Sequence, residues 1–328
     1  MFWTVLYVAS RRPILQPSSH EPFQLIPHLA LSNEVKLLVS SVLVDPSQRS
    51  LGSIQALLLL CHWPLPAASM KQDVTSMYSS LASTMAIQLG MHRPLHSHEY
   101  QSRRPIDPSS EEGQERRIAW HTCHIVAYGL VFFSSRFPIL AGADIDSARS
   151  VAVDHGYPSQ IHDDWVNTNA ATSAPTNYPS LPPRLVQLLR LARFSDRVAR
   201  ALGGCTDTAS GVPSPATSSA LLRSFSSELT DLERSLGSVG EDISLVALLT
   251  RVRLCAYGLQ MDSGPQTNVG ARSQFASECY VGCVRTLDIV LRADPVVLGK
   301  WPQSLLWGFG QACVRSSPSL SQPHPHTD

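Results

Sequence analysis

The chain has 328 residues, with 26 basic and 26 acidic side chains and a formal net charge of zero. Only 16% of residues are charged and 43% are apolar, which supports a sizeable core and excludes a wholly disordered chain. A nucleic-acid binder draws affinity from neutralised phosphates and carries a basic surplus. None is present in the total, so direct DNA binding by this chain is not expected.

The first nine residues are apolar, but no basic residue precedes them, and Arg11 and Arg12 follow too soon for a secretory signal. The next apolar run, Ile54 to Trp63, is apolar nearly all round and predicts a buried central helix. The longest pure apolar stretch, near Ala56–Cys61, is far short of the ~20 residues that span a bilayer. The segment 69–90 carries Val74, Met77, Tyr78, Leu81, Met85 and Leu89 on one stripe, with Gly90 as a left-handed stop and Pro94 blocking continuation. Its small residues Ala82, Ser83 and Ala86 predict close approach to a neighbouring helix.

A helix over 109–134 opens on a capping box, Ser109 with Glu112, and Glu112 pairs with Arg116 one turn on. Residues 147–182 are rich in Ser, Asn, Asp, Thr and Pro and read as a loop or linker. A helix over 183–202 follows, then a Gly/Pro-rich loop over 203–216, with the Gly203-Gly204 pair as a helix end. Ser214 caps and Pro215 opens the helix over 214–236. Ser238 and Glu241 signal the start of another over 241–260, and the stripe Phe275, Cys279, Cys283, Leu287 and Leu291 predicts the last, over 271–292. Period-two alternation is nearly absent. The fold class is all-α, a multi-helix bundle of about nine or ten helices with a loop-rich break near 147–182. The expected layout is a first half over 1–146, the linker, a C-terminal helical half over 183–315 and a disordered tail over 316–328.

Chemical motifs are sparse. Seven cysteines, at 61, 123, 205, 255, 279, 283 and 313, are odd in number and widely spaced, so they read as core thiols of an intracellular protein. His92, His96 and His98 with Glu99 are interrupted by Pro94 and read as a surface loop, not a metal site. His121, Cys123 and His124 share one helix but point in different directions. Asp163, Asp164 and Asn167 match a Mg²⁺–diphosphate run, yet no second acidic motif follows, so a Mg²⁺-dependent all-α enzyme is the weaker alternative. Arg103-Arg104 and Arg116-Arg117 are candidate anion contacts. With Glu111, Glu112 and Glu115 flanking, the second pair reads as a solvated, salt-bridged helix face.

Three stretches, in this order and spacing, resemble the middle homology domain of fungal zinc-cluster (Zn₂Cys₆) transcription factors. They are Ser53–Trp63, Met85–Arg93, and Glu115–Trp120 closing with Arg136-Phe137-Pro138 and Asp144-Ile145. Phe2–Val5 and Val8–Arg12 also fit the start of that domain, so the resemblance covers 2–146; beyond 180 it rests on helical character and length. Ala119 stands where an aromatic is frequent, and Ser134-Ser135 where Gly is usual. The motif residues carried over are Gln55, Trp63, Gly90, His92, Arg93, Arg116, Arg117, Trp120 and Pro138, all in structural roles, with no catalytic or metal residue. The resemblance implies a nuclear regulatory domain and not an enzyme. Its partners would be the transcription machinery or co-regulators, a small-molecule effector, or a second copy as a homodimer. Zinc would belong to an N-terminal cluster whose C-x₂-C-x₆-C signature is not in this sequence, so no cofactor is expected here. A standalone helical scaffold that competes with full-length regulators is the other alternative.

Overall fold

The computed structural model describes residues 1–10, 28–66, 73–100, 106–107, 109–134, 180–205, 208, 213–237, 240–259, 269–294, 298 and 301. Among these, nine α-helices and no strand occur, as the absence of period-two patterning implies. They are α1 (Phe2–Ala9), α2 (His28–Val44), α3 (Leu51–His62), α4 (Thr75–Gln88), α5 (Glu111–Ser134), α6 (Pro183–Gly203), α7 (Pro215–Leu236), α8 (Glu241–Leu259) and α9 (Val269–Arg292). Short 3₁₀ turns cover Pro46–Gln48 and Pro94–Glu99. No helix among the described residues is long and apolar enough to cross a membrane.

Among the described residues two compact units form: one holds those of 1–130 and 180–192, the other those of 131–134 and 193–294. Most of the break at 147–182, the tail at 316–328, Asp163, Asp164, Arg103, Arg104, Cys313 and the Arg136–Pro138 turn lie outside the described residues.

In the first unit α3 is the central element, as its apolar run requires. Ile54, Leu57 and Leu58 pack with Ala82, Met85 and Ala86 of α4 and with Ala119, Trp120 and Cys123 of α5. A second cluster joins α1, α2 and α3 through Tyr7, Leu31, Val35 and Leu60, with Leu65 just beyond α3. Tyr7 donates its hydroxyl hydrogen to the Pro64 carbonyl at 2.9 Å, and its ring stacks on His28 at 4.7 Å.

The buried face of α4 takes in most of the expected stripe, with Met85 and Leu89 buried and Tyr78 and Leu81 packed against the core, but it is centred on the small residues. Met77 is 65% exposed, whereas Ala82, Met85 and Ala86 are fully buried and Ser79 and Ser83 nearly so. The small residues decide the face because they let α3 and α5 approach, which buries more total surface than Met77 could. The Ser109–Glu112 capping box does not form either. Ser110 is the cap, its Oγ accepting from the Gly113 amide at 3.1 Å, and the Ser109 amide is held by Asp107 Oδ1 at 2.8 Å. The Asp107 turn fixes the chain one residue later than the sequence signature suggested, which puts Gly113 at the third helical position.

In the second unit α8 and α9 pack most closely. A Cβ on Gly258 would lie 2.6 Å from the Phe275 ring, and one on Gly282 would lie 2.7 Å from Val252 Cγ2. Each helix thus offers a glycine notch to a large side chain of the other. Ser214 caps α7 as expected, accepting from the Thr217 amide at 3.3 Å. Ser238 lies outside the described residues; at the start of α8 the Gly240 carbonyl accepts from the Ile243 and Ser244 amides. Arg251 of α8 forks onto Glu233 of α7 at 3.1 and 2.6 Å. Phe194 of α6 meets Phe225 of α7 edge-on at 5.9 Å.

Candidate functional site

The motif residues that are described, apart from Gln55 and Trp63, gather where α4 ends and α5 begins. The α4 terminus is a Schellman turn. The Met91 amide donates to the Ala86 carbonyl at 3.0 Å, and the Gly90 amide donates to the Ile87 carbonyl at 2.9 Å. Gly90 has φ +71°, the left-handed conformation that side-chain-bearing residues rarely adopt. It is also crowded: a Cβ there would lie 3.0 Å from both Ser97 Cα and Tyr100 Cδ2.

A Schellman turn leaves the cap carbonyl, here Leu89, without an intrahelical partner. Arg116 supplies it. Its Nη2 donates to the Leu89 carbonyl oxygen, and Nη1 lies 3.6 Å from Glu112 Oε1. The predicted Glu112–Arg116 pair therefore forms, but the picture of a solvated arginine face is corrected. Arg116 is 7% and Arg117 8% exposed. A guanidinium carries enough donors to satisfy a carbonyl and a carboxylate together, which makes its burial affordable. Replacing Arg116 by Met keeps the volume and orphans the Leu89 carbonyl; we expect a loss of about 2 kcal/mol in denaturant unfolding, with the helix content retained.

Around this joint sits a ring of aromatic and imidazole groups. His92 Nε2 lies 3.2 Å from the Tyr100 hydroxyl, and its ring faces Tyr100 at 4.9 Å and Trp120 at 6.0 Å. Trp120 meets His124 edge-to-face at 4.4 Å, and His124 Nδ1 lies 3.0 Å from the Trp120 carbonyl oxygen. Trp120 is 4% exposed and its indole N–H has no acceptor. Arg93 is exposed and pairs with Glu99 at 3.6 Å. Gln55 and Trp63 are half-buried on and just after α3. Pro138 is not among the described residues.

The metal-capable side chains flagged in the sequence do not converge at this joint. His96 and His98 are exposed on the 3₁₀ turn, and His96 is 3.1 Å from Glu99 Oε1, whereas His92 turns away toward Trp120. His121, Cys123 and His124 are all buried. Among the described residues no group of three or more His, Cys, Asp or Glu side chains could hold a metal ion.

A cleft over the joint is lined by Gly90, Met91, Pro94, Ser97, Arg116 and Arg117 among others, and its enclosed space is about 10 Å³. That is room for about one water molecule, not a metabolite. The sequence reading missed Ser97, Tyr100 and the Leu89 carbonyl as parts of the joint. Gly90 and Pro94 announced a stop, but no periodic signal links position 89 to position 116.

The thiols behave as core groups. Of the six described cysteines, only Cys205 is not buried, and none is in a disulfide. Burial pushes the Cys123 thiol up to about 12 and raises Cys61 as well. Cys255 is pushed up to about 12 by burial and by the neighbouring Glu278 carboxylate. These thiols stay protonated in the folded chain when unfolded thiols ionise, so the folded state binds more protons above about pH 9. Stability should fall as pH rises from about 9 toward 11. In native protein at pH 8, a thiol-reactive probe should label Cys205 and leave Cys61, Cys123 and Cys255 unlabelled until denaturant is added, as peptide mapping would show.

Comparison with known proteins fits this arrangement. The fungal specific transcription factor domain matches residues 16–238, which reaches past the 2–146 span of the sequence resemblance. The putative transcription factor SEF1 of Kluyveromyces lactis is 22% identical over 298 residues, covering 89% of this chain and 23% of that protein. Its namesake in Saccharomyces cerevisiae is 23% identical over 298 residues, covering 88% of this chain and 25% of that protein. The regulatory protein LEU3 of Saccharomyces cerevisiae is 22% identical over 274 residues, 78% of this chain and 27% of that protein. The chain thus spans about a quarter of the length of the curated relatives it matches. No solved structure matches. With the family domain covering well over half of its residues, this chain belongs to the fungal specific transcription factor domain family.

Proposed function

We propose that this chain serves as the regulatory part of a nuclear transcription regulator and acts through partners instead of through catalysis. The match of the family domain across 16–238 carries this reading. The relatives named as transcription factors support it. The mechanism is a population shift. An effector or co-regulator binds one packing of the helices better than another, and about 1.4 kcal/mol of differential binding changes their ratio tenfold. The joint of α4 and α5 suits such a role, because one buried arginine ties the end of one helix to the next. Its cleft is too small for a metabolite as it stands, so the reading favours a protein partner over a preformed effector pocket. DNA contact and zinc belong, on this reading, to another part of the regulator.

The test is a fusion of the chain to an unrelated DNA-binding domain, placed at a reporter gene in a fungal nucleus. A change in reporter transcription that Gly90→Ala or Arg116→Met removes, with the fusion protein still present at parental levels, is the expected result. A fusion that leaves the reporter at the level of the DNA-binding domain alone overturns the proposal.

A further inference from the structure

We propose that Ser214 is a modification site, which takes a phosphoryl group from ATP through a proline-directed kinase, and that the phosphate fastens the start of α7. The sequence offers such a kinase few choices. Of 24 prolines only Pro215 and Pro318 follow a serine, and none follows a threonine. Ser214-Pro215 is therefore the one such pair among the described residues. Ser214 and Pro215 are both exposed, so the hydroxyl and the ring that the kinase reads are reached together. Ser214 has φ −55° and ψ 153°, close to the extended polyproline-II backbone. A kinase cleft holds its substrate extended, so the reacting residue is already in shape. After Pro215 the chain is helical, and only the terminal turn of α7 has to open, as helix ends do most readily.

The transfer balances simply. The Ser214 oxygen bonds to the γ-phosphorus of ATP, the bond from that phosphorus to the bridging oxygen breaks, ADP leaves, and the hydroxyl proton passes to the kinase's catalytic carboxylate. What the phosphate then does follows from where Ser214 stands. Its Oγ accepts from the Thr217 amide at 3.3 Å and lies 2.9 Å from the Thr217 hydroxyl. Two donors already sit at the atom that would carry phosphorus. The first turn of α7 holds no acidic residue. A phosphate of about −2 charge meets the positive end of the helix dipole there and no carboxylate on its own turn, so it orders the helix start instead of melting it. The modification thus raises the stability of the second unit without touching its core. The inference does not rest on the regulatory reading, since it concerns one side chain and the kinase that reads it.

Incubating the full chain with Mg²⁺, ATP and a purified proline-directed kinase tests it, read by peptide mapping and thermal unfolding. A free peptide with the sequence of residues 208–222 is the reference substrate. Ser214 of the folded chain should be modified at a rate within about 10-fold of the peptide, since opening one terminal turn costs about that factor. Pro215→Ala keeps the capping hydroxyl and a good helix former, yet should take up phosphate at least ~10-fold more slowly. The phosphorylated chain should melt about 2 °C above the unmodified one, and phosphatase should abolish the difference. The chain recovered from fungal cells with phosphatases inhibited should carry phosphate on Ser214. A peptide that is modified while the folded chain is not overturns the proposal. So does uptake unmoved by Pro215→Ala, a melting temperature that stays or falls on phosphorylation, or a chain from cells with Ser214 unmodified.

Discussion

Trp120→Ala is expected to destabilise the first unit by about 3–5 kcal/mol, the largest single effect in that unit. The indole is 4% exposed within the core shared by α3, α4 and α5. It also holds the His124 ring edge-to-face at 4.4 Å and borders His92. Truncation therefore removes buried apolar area and leaves a cavity between helices that cannot close without shifting α5. Urea unfolding should show a lower midpoint with an unchanged slope. Trp120→Phe provides the contrast. The indole N–H has no acceptor, so its removal relieves a buried, unsatisfied donor and offsets part of the lost volume. We expect the Phe variant to cost about 1 kcal/mol or less. A Phe variant as damaging as Ala would mean that the N–H, and not the ring, anchors the joint.

Gly90→Ala should cost about 2–4 kcal/mol. Two causes add. A left-handed residue with a Cβ costs about 1–2 kcal/mol, and the new Cβ meets Ser97 Cα and Tyr100 Cδ2, both at 3.0 Å. Ser97 Cα is backbone and cannot swing aside, so the turn over Pro94–Glu99 has to move. Gly90→Asn separates the two causes. Asn tolerates left-handed backbone but brings the same Cβ, so it should recover only the backbone share. An Asn variant with parental stability would show that the crowding at Ser97 is relieved at no cost. Loss of the Schellman turn should also loosen the Arg116 contact, since the Leu89 carbonyl leaves its place.

Much of the fold was legible in the residues themselves. Apolar spacing located α3, α5, α6, α7, α8 and α9 within a few residues, and Ser214-Pro215 marked the start of α7, because these signals depend only on near neighbours. Gly90 with Pro94 marked the end of α4 for the same reason. What failed were particular inferences about which residues face inward. Met77 lay on the expected stripe of α4 and is exposed, because the partners on either side rewarded small residues at 82, 83 and 86. Ser109 matched a cap signature that the Asp107 turn displaced by one residue.

The candidate joint shows the same division. Its members were named from a resemblance, and Gly90 could be explained locally by its left-handed turn. The role of Arg116 could not. Glutamates around it argued for a solvated face, and only the meeting of α5 with the end of α4 buries it against an orphan carbonyl. In α9 the periodic stripe holds at Phe275, Cys279 and Cys283, which are buried, and fails at Leu291, which is 81% exposed. Composition and local spacing by themselves determined an all-helical, charge-neutral chain and where most of its helices start and stop. Tertiary structure alone decided where helices come closest, at the small residues 82, 83 and 86 of α4 and at Arg116 of α5, because burial there depends on residues far apart in the chain.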